Sequence, residues 1–188
     1  MKKMNRKGFT LVELLAVIVI LAILMAIAAT NIGPVIDNSR RSSMRTTAQM
    51  LIEGVQTQLQ TSYELYPGTY VWNKSIVDRG GIDAPFGGKY VYYDSDGTGV
   101  TKPTVGNKIG SGVYRVTPTS GTDPVDLECG ANKVSWVKVT RGSDGNYAYE
   151  ICLSTDYADT YLQGSREKVD DSKETSIFYG EAKAGIGD

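Results

Sequence analysis

From Phe9 to Ala29 the chain runs 21 residues in which only Thr10 and Glu13 are polar. At 1.5 Å per residue such a run covers roughly 30 Å as a helix, the thickness of the hydrocarbon core of a bilayer. Its length excludes an ordinary strand, and a single segment in lipid satisfies its own backbone hydrogen bonds only as a helix. The run therefore predicts a membrane-spanning helix close to the N-terminus. Glu13 sets it apart from a plain anchor. A carboxylate just inside the apolar end of a span costs up to roughly 3 kcal/mol on insertion scales, so it needs a partner.

Ahead of Gly8 lie Lys2, Lys3, Arg6 and Lys7, a basic leader suited to the cytoplasmic side. Arg40, Arg41 and Arg45 follow the run, so loop charge alone leaves the orientation open. A secretory signal would be cut behind Ala26-Ile27-Ala28. The combination of basic leader, Gly8, aromatic Phe9, then Thr10-Leu11-Val12-Glu13-Leu14-Leu15 and a long apolar helix resembles the class III signal of type IV pilins and pseudopilins.

The resemblance implies that residues 1–8 are a leader, cut between Gly8 and Phe9 by a membrane aspartic peptidase, and that the freed amine of Phe9 is N-methylated. Residues 9–29 then stay as the membrane anchor and filament-core helix. The resemblance also supplies a role for Glu13. Cleavage makes the Phe9 amine a cation four residues away, and an opposite charge within reach offsets the cost of burying the carboxylate. In the family the matching acid meets the terminal amine of an adjacent subunit and sets axial register. The implied partners are identical subunits, a prepilin peptidase and methyltransferase, an assembly platform with its ATPase, and membrane lipid before assembly.

With 188 residues, 41% hydrophobic and 22% charged, the chain suits one membrane helix plus one soluble domain. Removing the four leader cations takes the formal net charge from −1 to −5, which argues against nucleic acid as a primary partner. The chain has no histidine, so it lacks the usual general base near neutral pH and the commonest metal ligand. No catalytic residue, metal or cofactor is assigned. Cys129 and Cys152 fall in the portion expected outside, where disulfides persist. They read either as a bridge worth roughly 3 kcal/mol or as two separate buried thiols.

Beyond Ala29, Gly33 and Pro34 are where a continuous helix should kink, because glycine lowers helix propensity and proline removes a donor. Met44, Ala48, Leu51, Ile52, Val55, Leu59 and Tyr63 then recur at steps of three and four, an amphipathic helix stopped by Pro67-Gly68. Residues 30–66 are thus expected to form a kinked, then amphipathic, helix, and residues 67–188 a β-rich head. Strands are expected at Tyr70–Trp72, Lys89–Tyr93 and Gly112–Thr117, with a hairpin of Lys133–Arg141 and Asn146–Leu153 around Gly142-Ser143-Asp144-Gly145 and a last strand at Ile177–Tyr179. Helix first and strands afterwards predicts an α+β fold, the long helix packed on an antiparallel sheet. The resemblance implies four or five strands. It also implies a terminal disulfide loop, which neither cysteine is placed to close.

Three further signals have plainer readings. Asp94-Ser95-Asp96-Gly97 begins like a calcium loop, but the twelfth position is Val105 where an acidic ligand is needed, so a β-turn accounts for it. Ser165-Arg166-Glu167-Lys168 has the Ser-x-x-Lys spacing of penicillin-binding enzymes without the companion motifs. Arg40, Arg41 and Arg45 read as a solvated or subunit-contacting basic face. The functions that follow are a structural subunit of a type IV pilus, a pseudopilin of a secretion or DNA-uptake apparatus, or a membrane-tethered enzyme. The missing histidine and missing nucleophile motifs speak against the last.

Overall fold

A computed structural model of the protein describes residues 9–61, 67–73, 83–93, 104–110, 112–118, 121 and 123–183, without the side chains of 29–31, 107 and 181. The fold is α+β. Helix α1 (Leu11–Thr61) precedes strands β1 (Gly68–Trp72), β2 (Val105–Lys108), β3 (Val113–Val116), β4 (Trp136–Arg141) and β5 (Tyr147–Ser154). Strand β6 (Tyr161–Ser165), the short helix α2 (Arg166–Asp170), β7 (Phe178–Tyr179) and a 3-10 turn at Gly180–Ala182 follow. Two compact units result, Met1–Asp37 and Asn38–Asp188.

In the first unit, Leu11–Ala28 is long and apolar enough to cross a membrane, and none of it is buried. A helix apolar on every side has no solvent-facing stripe, so it must find lipid or other apolar helices. Pro34 lies inside α1, whose helical assignment continues on either side of it.

In the second unit the seven strands among the described residues form one antiparallel sheet in the order β2-β3-β1-β4-β5-β6-β7. Side chains alternate across it, and both faces are covered. Met44, Ala48, Ile52, Val55 and Leu59 of α1 are buried against Tyr70, Trp72, Val137, Val139, Ile151, Leu153 and Leu162. Their spacing of three and four places them on one helical face, and each buried large side chain contributes roughly 1.5–3 kcal/mol. The intervening strand residues Val71, Val116, Trp136 and Cys152 face the other way and meet Val134, with Val125, Leu127 and Cys129 partly buried against them. The segment carrying Val125 to Val134 thus forms a second, smaller core. Cys129 is bonded to Cys152 with a Cα–Cα distance of 5.7 Å, which ties that segment to β5 across 23 positions of sequence. Closing a loop of that length is worth roughly 3 kcal/mol in the chain-entropy account.

The β4–β5 hairpin pairs Arg141 with Tyr147, so Asn146 belongs to the turn rather than to the strand. Asp144 fixes that turn: its Oδ1 accepts the Asn146 N–H at 3.0 Å, while the Gly142 N–H bonds to the Asn146 carbonyl at 2.8 Å. Gly145 takes φ +83°, a conformation that favours glycine.

Three expectations need correction. Among the described residues the sheet has seven strands, because β2 and β6 are additional. Helix α1 is described as far as Thr61, and Ser62 to Tyr66, where the expected helix end falls, lie outside the described residues. Lys89–Tyr93 is not a strand. Instead it crosses the end of the sheet and bonds to several strands in turn: the Val91 N–H to Ser154 O, the Ser135 N–H to Val91 O, and the Tyr93 N–H to Trp72 O. Arg41 and Arg45 are not a solvated face but are 5% and 8% exposed. The chain from α2 onward supplies acceptors to both. Arg45 Nη1 donates to the carbonyls of Lys168 at 3.2 Å and Val169 at 2.9 Å, and also to Asp171, while Nη2 donates to Glu174. Arg41 Nη2 donates to Lys183 O at 3.1 Å, and both guanidinium groups lie over the Phe178 ring. Arg41 and Arg45 thereby tie residues 168–183 to α1. The turn-like Asp94-Ser95-Asp96-Gly97 falls outside the described residues.

Candidate functional site: the N-terminal end of the apolar helix

The first helical residue is Leu11, with Phe9 and Thr10 outside the helix. Helix α1 starts there because Thr10 and Glu13 cap it reciprocally. The Glu13 N–H donates to Thr10 Oγ1 at 3.3 Å. In return Glu13 Oε2 accepts the Thr10 N–H at 2.8 Å and the Thr10 hydroxyl at 2.7 Å. This Thr-x-x-Glu arrangement satisfies donors that the first turn of any helix leaves without partners. In hydrocarbon, with no water to take them, that matters more than at a wet surface.

The carboxylate that the sequence singles out therefore has a partner within its own chain. It sits at the end of the helix where backbone N–H groups favour negative charge. Phe9 is 85% exposed, and Leu14, Leu15, Ile18 and Leu21 are likewise uncovered. Gly8 lies outside the described residues. Gly33 and Pro34 fall further along α1, and a Cβ added at Gly33 would meet nothing within 4 Å. Thr10 is the capping residue that sequence reasoning passed over, although its spacing from Glu13 at the head of an apolar run is the capping-box signal.

Among the described residues this end of the chain offers an apolar helix without a covering surface, one carboxylate, and a short non-helical end. Residues 3–29 match the model of the prokaryotic N-terminal methylation motif. The matched motif is the class III signal peptide of type IV pilin-like proteins, to which this end of the chain is similar. That motif is the N-terminal signal found in type IV pilin-like and pseudopilin proteins, and the match covers residues 3–29 alone. No curated protein and no solved structure matches the chain.

Proposed function

We propose that the protein is a structural subunit of a type IV pilus. The leader, residues 1–8, is removed between Gly8 and Phe9, Phe9 is N-methylated, and residues 9–29 hold the product in the membrane until it polymerises. The surface filament then serves adhesion, aggregation or twitching motility. The observation that carries this reading is the wholly exposed apolar helix Leu11–Ala28 bearing one acid near its start, inside the matched methylation motif. A lone anchor needs no such acid. A packed bundle of identical helices does, because apolar surfaces slide past one another without register while a charge pair selects one position.

In this reading Gly33 and Pro34 let α1 bend or melt as subunits pack, since Pro34 offers no N–H to the preceding turn. An unbroken straight helix through Pro34 in both filament and lone subunit would refute that part. A pseudopilin of a type II secretion or DNA-uptake apparatus shares the motif, but the head of this chain exceeds that of the small pseudopilins. Shearing cells, imaging the filaments and identifying their main protein by mass tests the proposal. Abundant surface filaments made of this chain support it. Their absence together with a secretion or DNA-uptake defect in the deletion strain favours the pseudopilin.

A further inference from the structure

The face of the sheet that turns away from α1 carries two different surfaces. Its apolar part, the second core, runs from Val116 on β3 through Val71 and Trp136 to Cys152 on β5. Farther along β4 and β5 the same face turns polar, because Lys138 and Thr140 alternate with the buried Val137 and Val139, and Glu150 with the buried Ile151. Register sets Lys138, Glu150 and Ser165 side by side on three neighbouring strands, and Thr140 opposite Ala148 in the next row. Together with Gln163, Lys168 and Tyr179 they line a cleft of about 540 Å³, a size that holds small ligands.

The polar groups of the cleft are held by one another. Lys138 Nζ lies 2.9 Å from Glu150 Oε2 and 3.1 Å from Asp126 Oδ1, and Gln163 Nε2 donates to Glu150 Oε1 at 3.4 Å. Tyr179 is fixed as well, its ring parallel to that of its cross-strand neighbour Tyr161 with centroids 4.5 Å apart. Such a lining discriminates between ligand classes. Among the described residues no large aliphatic side chain reaches it, so an apolar molecule gains little there. Lys138 and Lys168 are balanced by Glu150 and by Asp126 on Lys138, so neither an anion nor a cation meets a net opposite charge. A hydroxyl, in contrast, donates to a carboxylate and accepts from an ammonium or amide at the same time. A molecule with many hydroxyls and one C–H face to lay on an aromatic ring matches the whole lining.

We propose that this cleft binds an uncharged oligosaccharide, Glu150, Gln163 and Lys138 bonding its hydroxyls and Tyr179 taking the face of one sugar ring. Ala148, small and exposed within the lining, leaves room for it. Binding needs the head alone, while its use in adhesion rests on the reading of the chain as a pilus subunit.

The test titrates the unassembled full-length chain in detergent micelles with cellotriose, maltotriose and triacetylchitotriose, with sialyllactose as the anionic control, and reads backbone amide shifts by NMR. At least one neutral trisaccharide is expected to bind at millimolar concentration and to shift amides of residues 138–150 and 163–165 more than those elsewhere in the head. Glu150→Ala should weaken that binding about tenfold, the effect of losing hydrogen bonds to a charged group. Ala148→Trp should abolish it by filling the cleft, and because the position is exposed the rest of the amide spectrum stays in place. No shift with any neutral trisaccharide, tighter binding of sialyllactose, or a response untouched by Ala148→Trp overturns the proposal. Filaments lost in Ala148→Trp with sugar binding unchanged would overturn it too, and would assign the cleft to contacts between subunits. Since the chain is measured unassembled, the two readings fail separately: sugar binding without surface filaments leaves the cleft assigned and removes only its role in adhesion.

Discussion

The Nη1 of Arg45, on the first half of the head's buried helical face, lies 2.9 Å from the carbonyl oxygen of Val169 near the end of α2. The same guanidinium serves three further carbonyls, at Lys168, Asp171 and Glu174, so a charge taken from water is offset by backbone hydrogen bonds, with the carboxylates of Asp171 and Glu174 adding attraction. Removing it leaves several carbonyls short of a donor in a buried setting. Arg45→Met is expected to destabilise the head by roughly 3 kcal/mol and to raise hydrogen exchange first in residues 166–183. Arg45→Lys should recover only part of this, because an ammonium cannot fork to separate carbonyls. An unchanged melting temperature in Arg45→Met would show that the contact is incidental.

Stability should fall at both ends of the pH scale, for different groups. The carboxyls of Asp144 and Glu174 sit below their ordinary range because backbone N–H groups, of Asn146 and Ser176 respectively, bond to the ionised form. A depressed carboxyl contributes stability that is present above the unfolded pKa, near 4, and lost as pH falls through the lower folded value. Burial pushes the Tyr70 phenol up to about 12, with the nearby Arg115 opposing. A raised phenol contributes stability present below the unfolded pKa, near 10, and lost as pH rises toward 12. A plateau between about pH 5 and 9.5 is expected in melting temperature against pH. Asp144→Asn should flatten the acid limb and Tyr70→Phe the alkaline limb. Limbs of unchanged slope would sink the assignment.

The parts of this protein that were legible in the sequence are those where one local rule decides. Leu11–Ala28 is too apolar to be anything but a helix out of water, and Gly142 to Gly145 between alternating runs fixes the β4–β5 hairpin. Strands β2 and β6 were not legible, since Val105-Gly106-Asn107-Lys108 and Tyr161-Leu162-Gln163-Gly164-Ser165 are short, glycine-bearing and barely alternate. They are strands because neighbours pair with them. Arg45 reads as an exposed charge because its partners are backbone carbonyls more than 120 positions away, which carry no side-chain signal. The same holds for Cys129, whose meeting with Cys152 depends on the Val125–Val134 segment closing over the far face of the sheet.

Glu13→Ala should separate membrane storage from assembly. Removing the carboxylate lowers the cost of placing this end of the helix in lipid, and it deletes the group proposed to select axial position. The chain is expected to be expressed, inserted and still cut after Gly8, yet to give several-fold less sheared filament relative to the membrane pool. Filament in normal amount would mean that apolar packing of Leu14 to Ala29 alone drives assembly.

The central claim, that the chain matures into a subunit beginning at Phe9, is tested most directly by the intact mass of the protein recovered from membranes and from sheared filaments. The account predicts a chain lacking residues 1–8 and carrying one added methyl group on the Phe9 amine. A mass that begins at Met1, or one that begins near Thr30 behind the Ala26-Ile27-Ala28 site, would contradict it.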